Sequence, residues 1–371
     1  MINRFQRFLP SVLSTVIAFV LALIVGALLI VFTDSTSLHA LGRGDVGSVL
    51  AHVGNSYRAL TSGALGGWDQ IGNTLEYAAP LICAGLGVAL AFRAGLFNIG
   101  AQGQLIIGAA ACGFVGFHWH IPGVAHLLVA LIAAMVGGAA WGAIAGILKA
   151  RTGAHEVITT MMLNYVAKYL LWFLLTKSAW IRPGQTNPTS PTVDHNALFP
   201  EVFGFHSGVI VAIVAAIVVW WLLERSTWGF EMRAVGANPD AARTAGMSIA
   251  RVTTVVMTLA GLLAGLGAAM QILGQNNDLT QGTGGSIGFD AITVALLGRA
   301  TPLGTVLAGI LWGGLQVGSA NMQAAAGTPA ELTEVVQALI VMFVAAPALV
   351  REIVRLRVIS KEQTLAAKGW A

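Results

Sequence analysis

Three stretches of this chain hold polar side chains at spacings that could do chemistry. The first is FRAGLFNIGAQGQ, residues 92 to 104, where Asn98, Gln102 and Gln104 stand among Gly95, Gly100 and Gly103. A carboxamide offers both donors and acceptors, so this set suits weak binding of a neutral, hydrogen-bonding molecule and not nucleophilic attack. The second is AHEVITTMMLNYVAK, residues 154 to 168. His155 and Glu156 begin like the zinc-protease helix HExxH, but Thr159 stands where the second histidine belongs, so the metal reading fails. Asn164 and Lys168, one helical turn apart, share a face. The third is GFEMRAVGANPDAARTAGMSIAR, residues 229 to 251, with Arg233 and Arg243. No GxxxxGK[ST] occurs, which excludes ATP binding through a P-loop, and no paired intramembrane carboxylates favour an enzyme.

The elements that carry these stretches are set by composition. Of 371 residues, 56% are hydrophobic and 10% charged, with a mean hydropathy of +0.77; soluble domains are about a quarter charged. This is the composition of a polytopic membrane protein. Its long apolar runs lack the alternation of a barrel, so the fold class is an all-α bundle. Cys83 and Cys112 fall in separate spans and read as filler. His118 and His120 flank Trp119 at a membrane edge and read as interfacial residues, not ligands.

The hydropathy pattern predicts ten spans: 11–33, 74–92, 98–117, 124–148, 157–177, 208–223, 252–273, 287–298, 303–320 and 332–350. The first is too long for a signal-peptide core and lacks a small-residue cleavage site, so it is expected to be retained. The eighth, with 12 residues, is the one that could be a half-helix. The formal charge of +4 would suggest nucleic acid in a soluble protein, but its distribution matters more here. With the N-terminus inside, the outer segments hold only Arg43, Arg58, Lys177 and Arg182, while fifteen of the twenty Lys and Arg fall inside, from Arg4 and Arg7 to Lys361 and Lys368. The positive-inside bias therefore puts both termini in the cytoplasm. No linker divides the chain, which reads as one transmembrane domain over 1–371.

Three hydrophilic excursions punctuate it. Residues 34–73 are predicted outside, where they could lie as an interfacial helix. Residues 178–206 contain Pro183, Pro188, Pro191 and Pro200 and form an irregular outer cap. Residues 224–251 are cytoplasmic and better organised: Asn238 is a good N-cap, Pro239 suits the first helical position, and Gly246 can stop the helix. Spans two to five and seven to ten have roughly similar design and opposite direction, as in inverted repeats. Residues 351–371 form a cytoplasmic tail.

The polar stretch at 92–104 interrupts an apolar run of 44 residues from Thr74 to Phe117. A helix rises ~1.5 Å per residue, so that run is about twice the thickness of a bilayer core and must break. A third span starting after Gln104 would be too short, so Asn98, Gln102 and Gln104 lie at membrane depth. Loose backbone at that depth is either buried in protein or lines a cavity. Two readings stay open: amides as interhelical glue, or amides facing a solute. For residues 229–251, a built helix between spans suggests a docking surface; the alternative is an amphipathic segment resting on anionic headgroups.

Taken in order, FRAGLFNIGAQGQ, HEVITTMMLNY, RAVGANPDAARTAGMS and GFDAITVALLGRATPLG resemble the permease subunits of bacterial ABC importers for branched-chain amino acids, simple sugars and nucleosides. The likeness runs from about Thr74 to Arg351, and the N-I-G-x-x-G-Q form is closest to the longer permease of purine-nucleoside importers. The resemblance implies a fold like the vitamin B12 importer permease, with inverted halves, in the bacterial cytoplasmic membrane. It implies cytoplasmic ABC ATPase subunits as partners, a second and shorter permease, an extracytoplasmic substrate-binding lipoprotein and a nucleoside solute. No cofactor and no ATP site of its own are expected. Asn98, Gln102, Gln104 and Asn164 would then line the substrate pathway. Arg233, Asn238, Pro239, Ala242, Arg243 and Gly246 would belong to the coupling helix that meets the ATPase. Lys168 departs from the family pattern and leaves the lining of the fifth span open. A simple sugar as solute, a stand-alone secondary transporter and a structural membrane scaffold are the competing readings; the secondary transporter lacks an evident coupling carboxylate, since Glu156 and Asp290 sit near span ends.

Overall fold

Out of water, a backbone must satisfy its own hydrogen bonds, and the apolar runs do so as helices. The computed structural model describes residues 17, 20–33, 35–185 and 187–345. Its helices are α1 (Val20–Thr33), α2 (Ser35–Gly42), α3 (Val46–Leu65), α4 (Trp68–Arg93), α5 (Ala101–His118), α6 (Val124–Thr152) and α7 (Glu156–Leu175). They continue with α8 (Gly208–Arg225), α9 (Thr227–Ala237), α10 (Pro239–Thr244), α11 (Ile249–Gln271), α12 (Ile287–Leu297), α13 (Pro302–Ala326) and α14 (Ala330–Ala345). Among the described residues, six helices are long and apolar enough to cross a membrane: α4, α6, α7, α8, α13, and α11 with its π-helical extension to Asn276; α1 and α12 are shorter apolar helices.

Several boundaries differ from the sequence expectation. The second apolar helix begins at Trp68 and not at 74, and the third begins at Ala101 and not at 98, so Asn98 precedes the helix that was expected to contain it. The segment 34–73 holds two helices, α2 and α3, plus the first turn of α4, in place of one interfacial helix. The start of the first expected span, the end of the tenth, and the tail 351–371 with its basic residues lie outside the described residues, as do Arg4 and Arg7.

The chain divides into two compact units. In the first, from residues up to 57 and beyond 321, the Tyr57 hydroxyl donates to the Leu23 carbonyl at 2.6 Å and Ser56 Oγ lies 3.3 Å from Thr328 Oγ1. The second unit, 58–321, carries the polar stretches. There α11 packs against α6, α4 and α5, while α12 lies on α4 and α5, and α7 lies on α5. Gly138 and Gly142 of α6 meet Gly261 and Gly265 of α11 so closely that a Cβ on Gly138 would stand 2.2 Å from the Gly261 carbonyl. Small residues let helices in lipid gain dispersion contact where no hydrophobic drive separates them from it. Both α4 and α11 are 78% buried over their most apolar window, against 22% for α7. Helix α7 is therefore peripheral, and it turns Met162, Val166, Tyr169 and Phe173 outward.

The proline-rich segment 178–206 holds a short 3₁₀ turn at His195–Ala197 and one small departure from an all-α fold, an antiparallel hairpin of β1 (Glu201–Val202) and β2 (Phe205–His206). It is tied to the loop that follows α11. Ser190 N donates to the Leu279 carbonyl at 2.9 Å, Leu279 N donates to Ser190 Oγ at 2.8 Å, and Arg182 pairs with Asp278 at 3.0 Å.

Candidate functional site

Residues 92 to 104 form the joint between α4 and α5. Arg93, the last residue of α4, donates from Nε to the Ala300 carbonyl at 2.9 Å. Gly95, at φ +73°, meets Gly236 of α9, where a Cβ on Gly236 would stand 2.3 Å from the Arg93 carbonyl. Asn98 Oδ1 then accepts from Gly100 N at 2.9 Å, and its Nδ2 donates to Gln104 Oε1 at 3.1 Å. Gln104 returns a bond from Nε2 to Asn98 Oδ1 at 3.4 Å. Since α5 starts only at Ala101, Asn98 and Gln102 do not share a helical face.

The four amides divide into two pairs. Asn98 and Gln104 are closed on each other, each 1% exposed. Gln102 and Asn164 are also largely buried but line a cleft of about 530 Å³ together with Tyr165, Lys168, Gln281, Thr283 and Phe289. Gln102 donates to the Gly285 carbonyl at 2.9 Å and accepts from Gly288 N at 2.8 Å. Asn164 accepts from Gly103 N at 2.8 Å and donates to the Ile99 carbonyl at 2.9 Å. A primary amide has two N–H donors and two acceptor lone pairs, so one of each remains uncommitted on both residues. Lys168 stands at this cleft with Nζ 5.0 Å from the centre of the Trp172 ring, within cation–π range.

Tyr165, Gln281, Thr283 and Phe289 were not among the residues expected from sequence. The available signal was the run TQGTGGS at 280 to 286, whose glycines allow the loop to close on α5: a Cβ on Gly288, just beyond it, would lie 2.3 Å from Gln102 Cα. The wall of the cleft is held from outside the bundle by the proline-rich segment through Ser190 and Arg182, and by Trp172 Nε1, which donates to the Gln281 carbonyl at 3.1 Å.

At the other end of the unit, α10 is built as its sequence demands. The Asn238 side chain accepts from Asp240 N and Ala241 N at 3.1 and 3.0 Å, Pro239 takes the first turn, and Gly246 follows the helix at φ +86°. Ala242 is buried at 4% exposure, whereas Arg243 is open to solvent and lies 3.6 Å from Asp240. Arg233 lines a second cleft of about 610 Å³ with Glu224, Glu231 and Arg251. The α9–α10 segment thus presents a charged outer face and, at Gly236, bears directly on the joint.

His155 is exposed, and Glu156 is engaged by Lys149 at 2.5 Å; among the described residues no three His, Cys, Asp or Glu side chains converge as a metal set. His206 in the β1–β2 hairpin is 2% exposed, and burial pushes its imidazole down to about 4. Its backbone N–H donates to Glu76 Oε1 at 2.7 Å.

Comparison with known proteins adds an independent line. Residues 70–345 match the family model described as branched-chain amino acid transport system / permease component. The chain is 38% identical over 348 residues to the guanosine ABC transporter permease protein NupP of Bacillus subtilis, covering 92% of this chain and 95% of that one. It is 36% identical over 324 residues to the glucose ABC transporter permease protein TsgB13 of Haloferax volcanii, covering 83% and 85%. It is 37% identical over 306 residues to the nucleoside ABC transporter permease protein NupB of Lactococcus lactis, covering 78% and 82%. No solved structure matches.

Proposed function

The chain belongs to the family of branched-chain amino acid transport system permease components, and on that premise we propose that it is the transmembrane permease subunit of an ATP-driven importer for a nucleoside. It is a transport component and not an enzyme; ATP hydrolysis belongs to cytoplasmic ABC subunits that dock on α9 and α10. A second, shorter permease completes the pathway, and an extracytoplasmic lipoprotein delivers the solute. In this reading the chain is one permease domain with ten spanning helices in inverted halves, like the vitamin B12 importer permease. Both termini and residues 224–251 face the cytoplasm, and 34–73 and 178–206 face outside.

The observation that carries the nucleoside reading is the lining of the cleft beside α5. Gln102 and Asn164 offer a donor and an acceptor each to base edges or ribose hydroxyls, and Tyr165 and Phe289 supply aromatic faces for a base. No carboxylate lines it, and its one cation, Lys168, lies over the Trp172 ring. Contacts of this kind are worth about 1 kcal/mol each, and an importer needs no more, because tight binding would trap the solute.

The test is uptake of labelled guanosine, uridine and glucose by cells without their own nucleoside uptake that express this chain with its partner subunits. ATP-dependent nucleoside uptake that glucose does not compete for is the expected result. Glucose uptake alone would favour the sugar reading, to which the similarity with TsgB13 lends support. Uptake that persists without an ATPase subunit would point to a stand-alone secondary transporter.

A further inference from the structure

A third cleft, of about 640 Å³, lies where α4 and α8 end and α13 begins, and the proposed solute pathway does not use it. Arg93 and Arg225 line it, with Glu224 as its one carboxylate and Trp220, Thr301 and Leu303 on its walls. Arg93 is held in place by its bond to the Ala300 carbonyl, so its remaining guanidinium nitrogens are oriented in advance. The ion pairs found among the described residues engage Lys149, Arg182 and Arg243 and leave Arg93 and Arg225 without a carboxylate partner. Two cations against one carboxylate give the cleft an excess of positive charge.

The rim on the membrane side is of a different nature. Trp220 is 45% exposed, Leu303 71% and Leu307, one turn further along α13, 60%. These are apolar side chains on helices long enough to span a bilayer, where hydrocarbon covers them, and a tryptophan near a helix end sits at headgroup level. From the helix ends that carry Arg93 and Arg225 the surface turns apolar within one to two turns, at Trp220 on α8 and Leu307 on α13, as a phospholipid does behind its phosphate. A soluble anion would account for the arginines but not for the exposed Leu303 and Leu307 beside them. We infer that this cleft seats an anionic phospholipid, its phosphodiester between Arg93 and Arg225 and its chains along Trp220 and Leu303. Basic pockets between spanning helices at the cytoplasmic side recognise such headgroups by charge. The site lies at the joint where Gly95 meets Gly236, so an occupied cleft would brace the turn through which α9 bears on α4.

The test uses the full chain, purified in mild detergent and titrated with phosphatidylglycerol, with phosphatidylcholine of the same acyl chains, and with sodium phosphate, reading bound lipid by native mass spectrometry. Phosphatidylglycerol should be retained over phosphatidylcholine, and Arg225→Gln should cut that preference about fivefold, the effect of one cation at an anionic surface. Arg225 is exposed and makes no bond that the fold needs, so this variant decides the matter even if Arg93→Gln fails to fold. Leu303→Ser should weaken retention of the lipid and leave its headgroup preference unchanged. Equal retention of the two lipids, or an unchanged preference in Arg225→Gln, would overturn the inference. So would displacement of the lipid by millimolar phosphate, which would make this an anion site, or by the ATPase subunit, which would make it a protein interface.

Discussion

Asn98 and Gln104 face each other as a reciprocal carboxamide pair, Nδ2 to Oε1 at 3.1 Å and Nε2 to Oδ1 at 3.4 Å, sealed from solvent at the break between α4 and α5. Two residues away on the same helix, Gln102 instead reaches across to the backbone of Gly285 and Gly288 at the edge of the cleft. The two glutamines should therefore fail differently. Gln104→Leu leaves the Asn98 amide short of partners in a buried place, which costs about 1–3 kcal/mol. Its thermal midpoint and yield should drop while uptake per folded molecule stays within about twofold of the parent. Gln102→Leu should slow uptake or shift nucleoside preference in protein that still assembles. If Gln102→Leu leaves transport of every nucleoside unaltered, the amides are packing glue and the pathway reading of this stretch is wrong.

Coupling through α10 can be probed at Ala242, which is buried between a well-formed cap at Asn238 and the turn at Gly246. A tryptophan there overfills a packed site, at about 1–3 kcal/mol, and must displace the helix from its seat. Ala242→Trp is expected to abolish transport and solute-stimulated ATP hydrolysis in the complex while binding-protein affinity is retained. Normal hydrolysis and uptake by the purified variant complex would remove α10 from the coupling role.

The orientation of the chain rests on the asymmetry of its Lys and Arg residues and can be read by cysteine labelling. Ser190 is buried and hydrogen-bonded, so the exposed Gln185 is the better probe of the proline-rich segment, and the exposed Thr244 of the α10 segment. In intact cells an impermeant thiol reagent should modify Gln185→Cys and spare Thr244→Cys. The opposite pattern would invert the whole topology.

His206 makes stability depend on pH in a stated direction. Burial holds its imidazole at about 4 in the fold, below the unfolded value of about 6.5, so the native state binds fewer protons than the unfolded chain between those limits. Its contribution is intact above pH 6.5 and is lost as pH falls towards 4, at up to about 1.4 kcal/mol per unit. Glu76, whose carboxylate accepts from the His206 backbone N–H, is common to the two proteins compared. Thermal melts of the purified chain should show His206→Leu losing less stability than the parent between pH 7 and 5. Identical slopes would mean that the ring is charged or solvated in the fold.

Much of the architecture is a local matter and was legible in the residues. An apolar run that leaves water has no alternative to a helix, so composition alone determines an all-α membrane bundle, and length alone forces a break between Thr74 and Phe117. The cap at Asn238 and Pro239 is likewise written in adjacent residues, because the bonds it makes run only two and three positions along the chain. What the tertiary structure decided is how the four amides divide. Gln102 and Gln104 are the same residue type in the same stretch, and no periodicity tells them apart. One closes on Asn98 because the backbone turns at Gly95 and the helix resumes only at Ala101; the other opens on the cleft because its partner Gly285 lies 183 positions away. A bond between groups so far apart in sequence depends on where α11, the proline-rich segment and the glycine loop come to rest against α5, and only the packing of the whole unit settles that.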